Sequence, residues 1–358
     1  VNMNNEAVDK GYQAIHVIDV PASWADATDE PVVSKHTGRA ATVKMVTGIL
    51  DLVGKMDGDS LPVSAFVPHA DGTFEQGASA YEKRGVAVTV PEWDQNKCIQ
   101  CNQCSYVCPH ATIRSFALTD EEAKNAPEAA KYVPVKAGAG KDKYQFAIAV
   151  SPLDCMGCGV CANTCPVQAL TMMPQESQSE QQAVFNYMVN DTVEKTDMAD
   201  TKTVRGSQFK QPLLEFSGSC AGCAETAYAR LVTQVVGDRM YVSNATGCSS
   251  IWGGPAASSP YTVNKEGKGP TWANSLFEDN AEHGLGMYLG QKAVRDRLAK
   301  RTRELIMVPY VVPALKAAAQ EWLDTMEDGI ANGEATKKYI AALEDGILGV
   351  DEGIAFMN

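Results

Sequence analysis

One cysteine run occurs twice in this chain, and few folds can accommodate it. Cys98, Cys101, Cys104, Cys108 and Pro109 form the first copy, and Cys155, Cys158, Cys161, Cys165 and Pro166 the second. Both read C-x2-C-x2-C-x3-C-P, the spacing that binds a pair of 4Fe-4S clusters. Thiolates are soft ligands suited to such clusters. Two-residue gaps let three cysteines wrap three irons of one cube, and the fourth iron takes its ligand from elsewhere. With this spacing the fourth cysteine of each run crosses to the other cluster. Cys98, Cys101, Cys104 and Cys165 are therefore assigned to one cluster, and Cys155, Cys158, Cys161 and Cys108 to the other. Pro109 and Pro166 stop a helix from continuing past the crossing ligand. Zinc sites use longer gaps between ligand pairs, which a duplicated eight-cysteine run does not match. Ile99, Val107 and Val160 are expected to shield the clusters. Gly157 and Gly159 are expected to free backbone N–H groups toward sulfide, and such burial and hydrogen bonding tune potential.

Three cysteines remain, Cys220, Cys223 and Cys248, of eleven in all. They are one short of a cube. Either they form a zinc knuckle or unrelated thiols, or they belong to a third cluster whose last ligand lies beyond Asn358. Glu225 follows Cys223 at an expected helix start. An acid there favours the helix dipole, and beside a cluster it could instead hold a cofactor nitrogen. His110, after the first run's proline, reads as a hydrogen-bonded structural side chain.

No cysteine is left over for a disulfide framework, which favours a reducing cytoplasm. The 358 residues allow two to three domains, and the apolar content of 45% is ordinary. No apolar run reaches membrane-spanning length, and the first 30 residues do not read as a signal peptide. The net charge of −13 comes from residues 151–200, at −6, and 321–358, at −7. A nucleic-acid footprint is not expected. The chain opens on Val1 with text that reads as mid-domain, which suggests an internal fragment.

Along the chain, Ala14 to Val20 reads as a strand ended by Pro21, and Val43, Val46, Leu50 and Val53 recur at helical spacing until Asp57-Gly58. Val86–Val90 and Tyr144–Val150 read as strands leading into the two runs, an internal repeat with a 57-residue offset. Between the halves, Asp120-Glu121-Glu122 marks a helix start and residues 136–143 a loop. Further on come a helix over Glu225–Val236, a strand over Met240–Asn244, and a glycine-rich loop from Thr246 to Gly254. Three helices follow, over Ala281–Arg303, Ala314–Asp328 and Ala335–Glu344. Leu315, Trp322, Leu323 and Met326 share a core-packing face of the middle one. Residues 292–303 hold six basic residues. They read first as a solvated face and second as a dock for an acidic ferredoxin.

The stretch from Cys98 to His110 and the block Phe216-Ser-Gly-Ser-Cys220-Ala-Gly-Cys223 resemble pyruvate:ferredoxin oxidoreductase. So do Asn244-Ala-Thr-Gly-Cys248-Ser-Ser-Ile-Trp252-Gly and the segment from Gly269 to Asn280. The resemblance runs to about Arg303. It implies an α+β and α/β multidomain fragment, in which a two-cluster ferredoxin-like domain precedes part of a thiamine diphosphate-binding α/β domain. Residues 1–35 would end a domain linked to coenzyme A binding, 36–76 would connect, 77–193 would be the ferredoxin-like domain, and 194–358 would begin the thiamine diphosphate domain. The intact enzyme, a homodimer in the family, would use thiamine diphosphate, Mg2+ and three 4Fe-4S clusters. It would convert pyruvate and coenzyme A to acetyl-CoA and CO2, with ferredoxin or flavodoxin as acceptor. Cys220, Cys223 and Cys248 would ligate the cluster nearest thiamine, and Glu225 would lie at the thiamine site.

Three departures stand out. Ala224 replaces a family glycine, the G-D-G signature for Mg2+ and diphosphate is absent, and the third cluster lacks a fourth ligand. The fragment alone is not expected to turn over pyruvate. A stand-alone electron-transfer module and another 2-oxoacid:ferredoxin oxidoreductase are the alternatives.

Overall fold

The repeat in the sequence is also a repeat in space. In the computed structural model, which describes residues 1–26, 36–195, 197–255 and 258–347, strands flank each cysteine run and pair across the repeat. β1 (Thr89–Trp93) and β2 (Ile113–Leu118) bracket the first run. A two-residue strand, β3 (Val133–Pro134), follows in the insertion. β4 (Gln145–Val150) and β5 (Leu170–Pro174) bracket the second run. β1 pairs antiparallel with β5, and β2 with β4, whose other edge takes β3. Trp93 faces Leu170, so Cys98, five residues after Trp93, and Cys165, five residues before Leu170, leave the same end of one ladder. Ile113 faces Val150, which does the same for Cys108 and Cys155. Strand pairing thus carries the last cysteine of each run toward the other.

The backbone keeps the 57-residue symmetry where the side chains do not. Gly157 (φ 66°) and Gly159 (φ 70°) match Gln100 (φ 60°) and Asn102 (φ 61°), and Ala111 (φ 54°) matches Gln168 (φ 50°). Left-handed backbone strains a residue with a Cβ. In the first run side-chain bonds offset that strain. Gln100 donates to the Pro134 carbonyl at 2.9 Å and accepts from the Lys136 amide at 2.8 Å. Asn102 donates to the Arg205 carbonyl at 2.9 Å.

The β2–β4 sheet is buried on both faces. Phe146, Ile148 and Val150 join Trp93, Ile113, Leu170, Cys108 and Cys161 in one core. Ala147 and Ala149 pack the other face, against Val184, Phe185 and Met188. In chain order the helices are α1 (Asn2–Gln13), α2 (Ala40–Met45), α3 (Asp51–Gly54), α4 (Gln103–Val107), α5 (Asp120–Asn125), α6 (Val160–Thr164) and α7 (Gln181–Asn190). They continue as α8 (Val204–Ser207), α9 (Ala224–Val236), α10 (Cys248–Gly253), α11 (Asn280–Met307), α12 (Pro313–Asp324) and α13 (Gly329–Ile347). α5 starts in a reciprocal capping box between Thr119 and Glu122. A π-helical turn, Val46–Leu50, joins α2 to α3, and Met45, Val46, Ile49 and Leu50 bury against Ala78. Short strands β6 (Tyr241–Asn244) and β7 (Thr271–Asn274) pair in parallel. Leu315 and Trp322 of α12 are buried, with Leu323 and Met326 packed beside them, against α11 and α13.

Three expectations fail here. The strand expected over Val86–Val90 instead lies at Thr89–Trp93, where the register with β5 places it. Ala14 to Val20 forms no strand, and residues 1–25 are all exposed. A strand needs a ladder partner, and none of the described residues supplies one. The loop expected from Thr246 to Gly254 contains the short helix α10, whose start at Cys248 follows Gly247. No described helix is long and apolar enough to cross a membrane.

Candidate iron–sulfur centres

The eight cysteines of the two runs divide between two small cavities. Cys98, Cys101, Cys104 and Cys165 line one, with Trp93, Phe146 and Ile148. Cys155, Cys158, Cys161 and Cys108 line the other, with Ile113 and Val160. Each cavity therefore holds three thiols of one run and the fourth of the other.

Backbone amides point at several of these sulfurs. The Gln100 amide donates to Cys98 Sγ at 3.4 Å, the Gly157 amide to Cys155 Sγ at 3.4 Å, and the Ala169 amide to Cys165 Sγ at 3.2 Å. Gly157 and Gln100 occupy equivalent left-handed positions, which turn the two amides toward sulfur alike. Burial pushes the Cys104 thiol up to about 12 and the Cys155 thiol up to about 11, and it raises Cys161 as well. Thiols so desolvated stay protonated unless a bound metal supplies the compensating charge. Among the described residues no three metal-ligating side chains converge as they would on a single ion. A cube asks for a different arrangement, since each thiolate holds its own iron. A mostly apolar cradle, four soft donors and inward-facing amides fit such a cube. Of the expected shields, Val160 lines a cavity, whereas Ile99 lines one but is 50% exposed, and Val107 lines neither.

Of the remaining three cysteines, two sit at helix starts and Cys220 lies in the loop before α9. Cys223 precedes α9 and is half-buried, Cys248 begins α10, and Cys220 and Cys248 are exposed. The Cys220–Cys223 loop lies on the second run. A Cβ on Gly222 would sit 3.5 Å from Val160 and 3.7 Å from Cys158. Glu225 is exposed, and its carboxylate accepts from the Trp252 indole at 3.4 Å. That bond links the start of α9 to α10, the helix that Cys248 begins.

His110 ties these parts together and is 2% exposed. Its Nε2 faces the Cys220 carbonyl at 3.2 Å, and its Nδ1 lies 3.5 Å from the Ser219 hydroxyl. Burial holds its pKa below the ordinary imidazole value. A neutral ring carries one N–H and can donate to only one of the backbone carbonyls that its two nitrogens face. The Nδ1 edge also faces the Ser217 carbonyl at 3.2 Å.

Several residues escape a sequence reading because their partners are remote in the chain. Lys83 pairs with Asp154, the neighbour of Cys155, at 2.5 Å, and lies over the Phe216 ring. Arg84 reaches the Ser217 carbonyl at 3.5 Å. The charged turn Glu82-Lys83-Arg84 thus clamps the base of the second run to the strip leading to Cys220. Arg114 forms a buried ion pair with Glu215 across the same seam. The only sequence signal was three adjacent charges between apolar segments. Of the basic helical face, Lys292 is spent on Asp296 at 2.5 Å, and Arg295 on the Met326 carbonyl.

The fold and donor set define a ferredoxin-type carrier of two clusters, and a family model for a 4Fe-4S dicluster domain matches residues 97–169. A second model, EKR, a domain of unknown function, matches residues 29–87 and includes the clamp. Over 94% of its length the chain is 49% identical to the pyruvate-flavodoxin oxidoreductase of Enterobacter agglomerans, and over 96% it is 49% identical to the pyruvate:ferredoxin oxidoreductase of Moorella thermoacetica. Over 74% it is 50% identical to a pyruvate dehydrogenase [NADP(+)] of Cryptosporidium parvum. By sequence the chain is a homologue of one segment of the pyruvate-flavodoxin and pyruvate:ferredoxin oxidoreductases. It spans 28% and 29% of the first two relatives and 13% of the third.

Proposed function

We propose that this chain is the electron-relay segment of an enzyme that oxidises pyruvate with coenzyme A to acetyl-CoA and CO2 and passes electrons to ferredoxin or flavodoxin. One observation carries the reading: the two cysteine cavities, each completed by the other run, with the Cys220–Cys223 loop seated on the second. When bound, the clusters would accept and release single electrons, and thiamine diphosphate with Mg2+ would supply the decarboxylating carbanion chemistry.

The chain's own residues hold and arrange these groups. Cys98, Cys101, Cys104 and Cys165 hold one cluster, and Cys155, Cys158, Cys161 and Cys108 the next. Cys220, Cys223 and Cys248 offer three ligands to a third, and Glu225 lies at the thiamine side. Apolar walls exclude water from the first two, and His110 fixes the Cys220 loop against the run that carries Cys108. Residues 77–193 serve as the ferredoxin-like domain and 194–358 as the start of the thiamine diphosphate domain. Residues 36–76 connect, and 1–35 end the coenzyme A-linked domain. The eleven free cysteines suit a cytoplasmic enzyme, which we place in a homodimer as in the family it resembles.

Anaerobic reconstitution with iron and sulfide tests this. About eight irons per chain fill the two cavities, and about twelve fill a third site. Reduced with dithionite, the loaded chain should pass electrons to oxidised ferredoxin or flavodoxin. Zinc in place of iron and sulfide, or a loaded chain that reduces neither acceptor, overturns the reading.

A further inference from the structure

Helix α9 buries a cation with no anion beside it. Arg230 is 1% exposed. Its Nη1 donates to Gln234 Oε1 at 2.6 Å and Gln208 Oε1 at 3.2 Å, and its Nη2 donates to the Tyr106 carbonyl at 2.5 Å. Its Nε has no partner among the described residues. All three acceptors are neutral. Arg114, the other buried arginine among the described residues, is neutralised by Glu215. Burial lowers the Arg230 pKa to about 10, so it remains charged at neutral pH, and the Cys108 sulfur pulls that value upward.

A buried charge without a counter-ion is strongly unfavourable. The fold tolerates this one only if a negative charge lies close by. Tyr106 lies midway between Cys104 of one cavity and Cys108 of the other, but it is the Cys108 sulfur that acts on the Arg230 charge, which puts the guanidinium on the side of the centre of Cys108, Cys155, Cys158 and Cys161. Four thiolates around a cube leave that centre negative, and each one-electron reduction adds a further unit of negative charge. No bond forms or breaks, and no proton is needed.

We propose that Arg230 is the fixed counter-charge of the centre held by Cys108, Cys155, Cys158 and Cys161, and that it raises this centre's reduction potential. An electron arriving from the Cys220 side would then find a favourable first acceptor. The inference rests on the ligand reading above, and the test separates the two. Iron content checks the ligands, and only the midpoint potential checks Arg230.

The experiment is a dithionite titration of the reconstituted chain followed by electron paramagnetic resonance. The signal of this centre is assigned from a C98A/C165A variant that lacks the other. Arg230→Met should disfavour reduction about tenfold, a fall of about 59 mV for a one-electron couple. Arg230→Lys should stay near the parent value. Gln208→Glu keeps the arginine but neutralises it, and should lower the midpoint in the same direction. An unchanged midpoint in Arg230→Met with iron intact overturns the proposal, as does a fall in Arg230→Lys as large as in Arg230→Met. If Arg230→Met fails to load iron, Gln208→Glu decides, and an unchanged midpoint there overturns the proposal.

Discussion

Removing cysteines in pairs distinguishes crossed from uncrossed ligation. The cavity of Cys98, Cys101 and Cys104 also receives Cys165, and that of Cys155, Cys158 and Cys161 receives Cys108. If those cavities are the cluster sites, Cys98→Ala with Cys165→Ala takes two ligands from one cluster and none from the other. The iron in the two cavities should fall from about eight to about four per chain. Cys155→Ala with Cys165→Ala removes one ligand from each cluster, and both should be lost or degraded, leaving well below about four. With each run serving its own cluster, the pattern reverses. Iron and acid-labile sulfide assays give the counts, and the dithionite-reduced spin intensity gives the number of intact cubes. Retention of about four irons in the Cys155/Cys165 pair, with loss of nearly all in the Cys98/Cys165 pair, would refute crossed ligation.

The seams yield further predictions. Glu215→Gln leaves Arg114 without its buried partner, and breaking such a pair costs about 3–5 kcal/mol. The denaturation midpoint should fall markedly, and a change under about 1 kcal/mol would mean the pair is solvated in solution. Gly157 and Gly159 are both left-handed, so alanine at either costs about 1–2 kcal/mol in backbone strain. Only at Gly157 does a Cβ also crowd the Thr89 carbonyl at 3.1 Å and Ala87 at 3.2 Å. Gly157→Ala should therefore lose more thermal stability than Gly159→Ala, and equal losses would contradict the packing. At Glu122, burial alone would raise the carboxyl pKa, but Lys195 and the Thr119 and Val193 amides hold it below its ordinary 4.5. A depressed folded-state pKa gives stability that is present above pH 4.5 and lost as pH falls through the folded value. Glu122→Gln should flatten that part of the stability–pH curve, and an unchanged slope would show that Glu122 does not supply it.

The sequence was most legible where covalent spacing dictates geometry. Two-residue gaps place three cysteines around one cube whatever surrounds them, so the clusters and the repeat could be read directly. Helix α5 was equally readable, because its capping box is closed by residues three apart. The failures have a common cause. Ala14 to Val20 has strand composition, but a strand exists only with a partner, and composition does not name one. The segment from Cys248 to Gly253 reads as glycine-rich loop, yet it forms a helix whose Trp252 bonds to Glu225, 27 residues earlier.

What the sequence determined by itself is the cofactor chemistry: soft ligands at fixed intervals, twice. What only the tertiary structure decided is how the pieces meet. Pairing of β1 with β5 and of β2 with β4 supplies the geometry for the crossing that the spacing already implied. The Glu82-Lys83-Arg84 turn reaches Asp154 and Ser217, His110 reaches Cys220, and Arg230 lies buried behind Cys108. Each contact joins residues some 70 to 130 positions apart. Their energies depend on burial and on the charges facing them, and neither exists until the chain has folded.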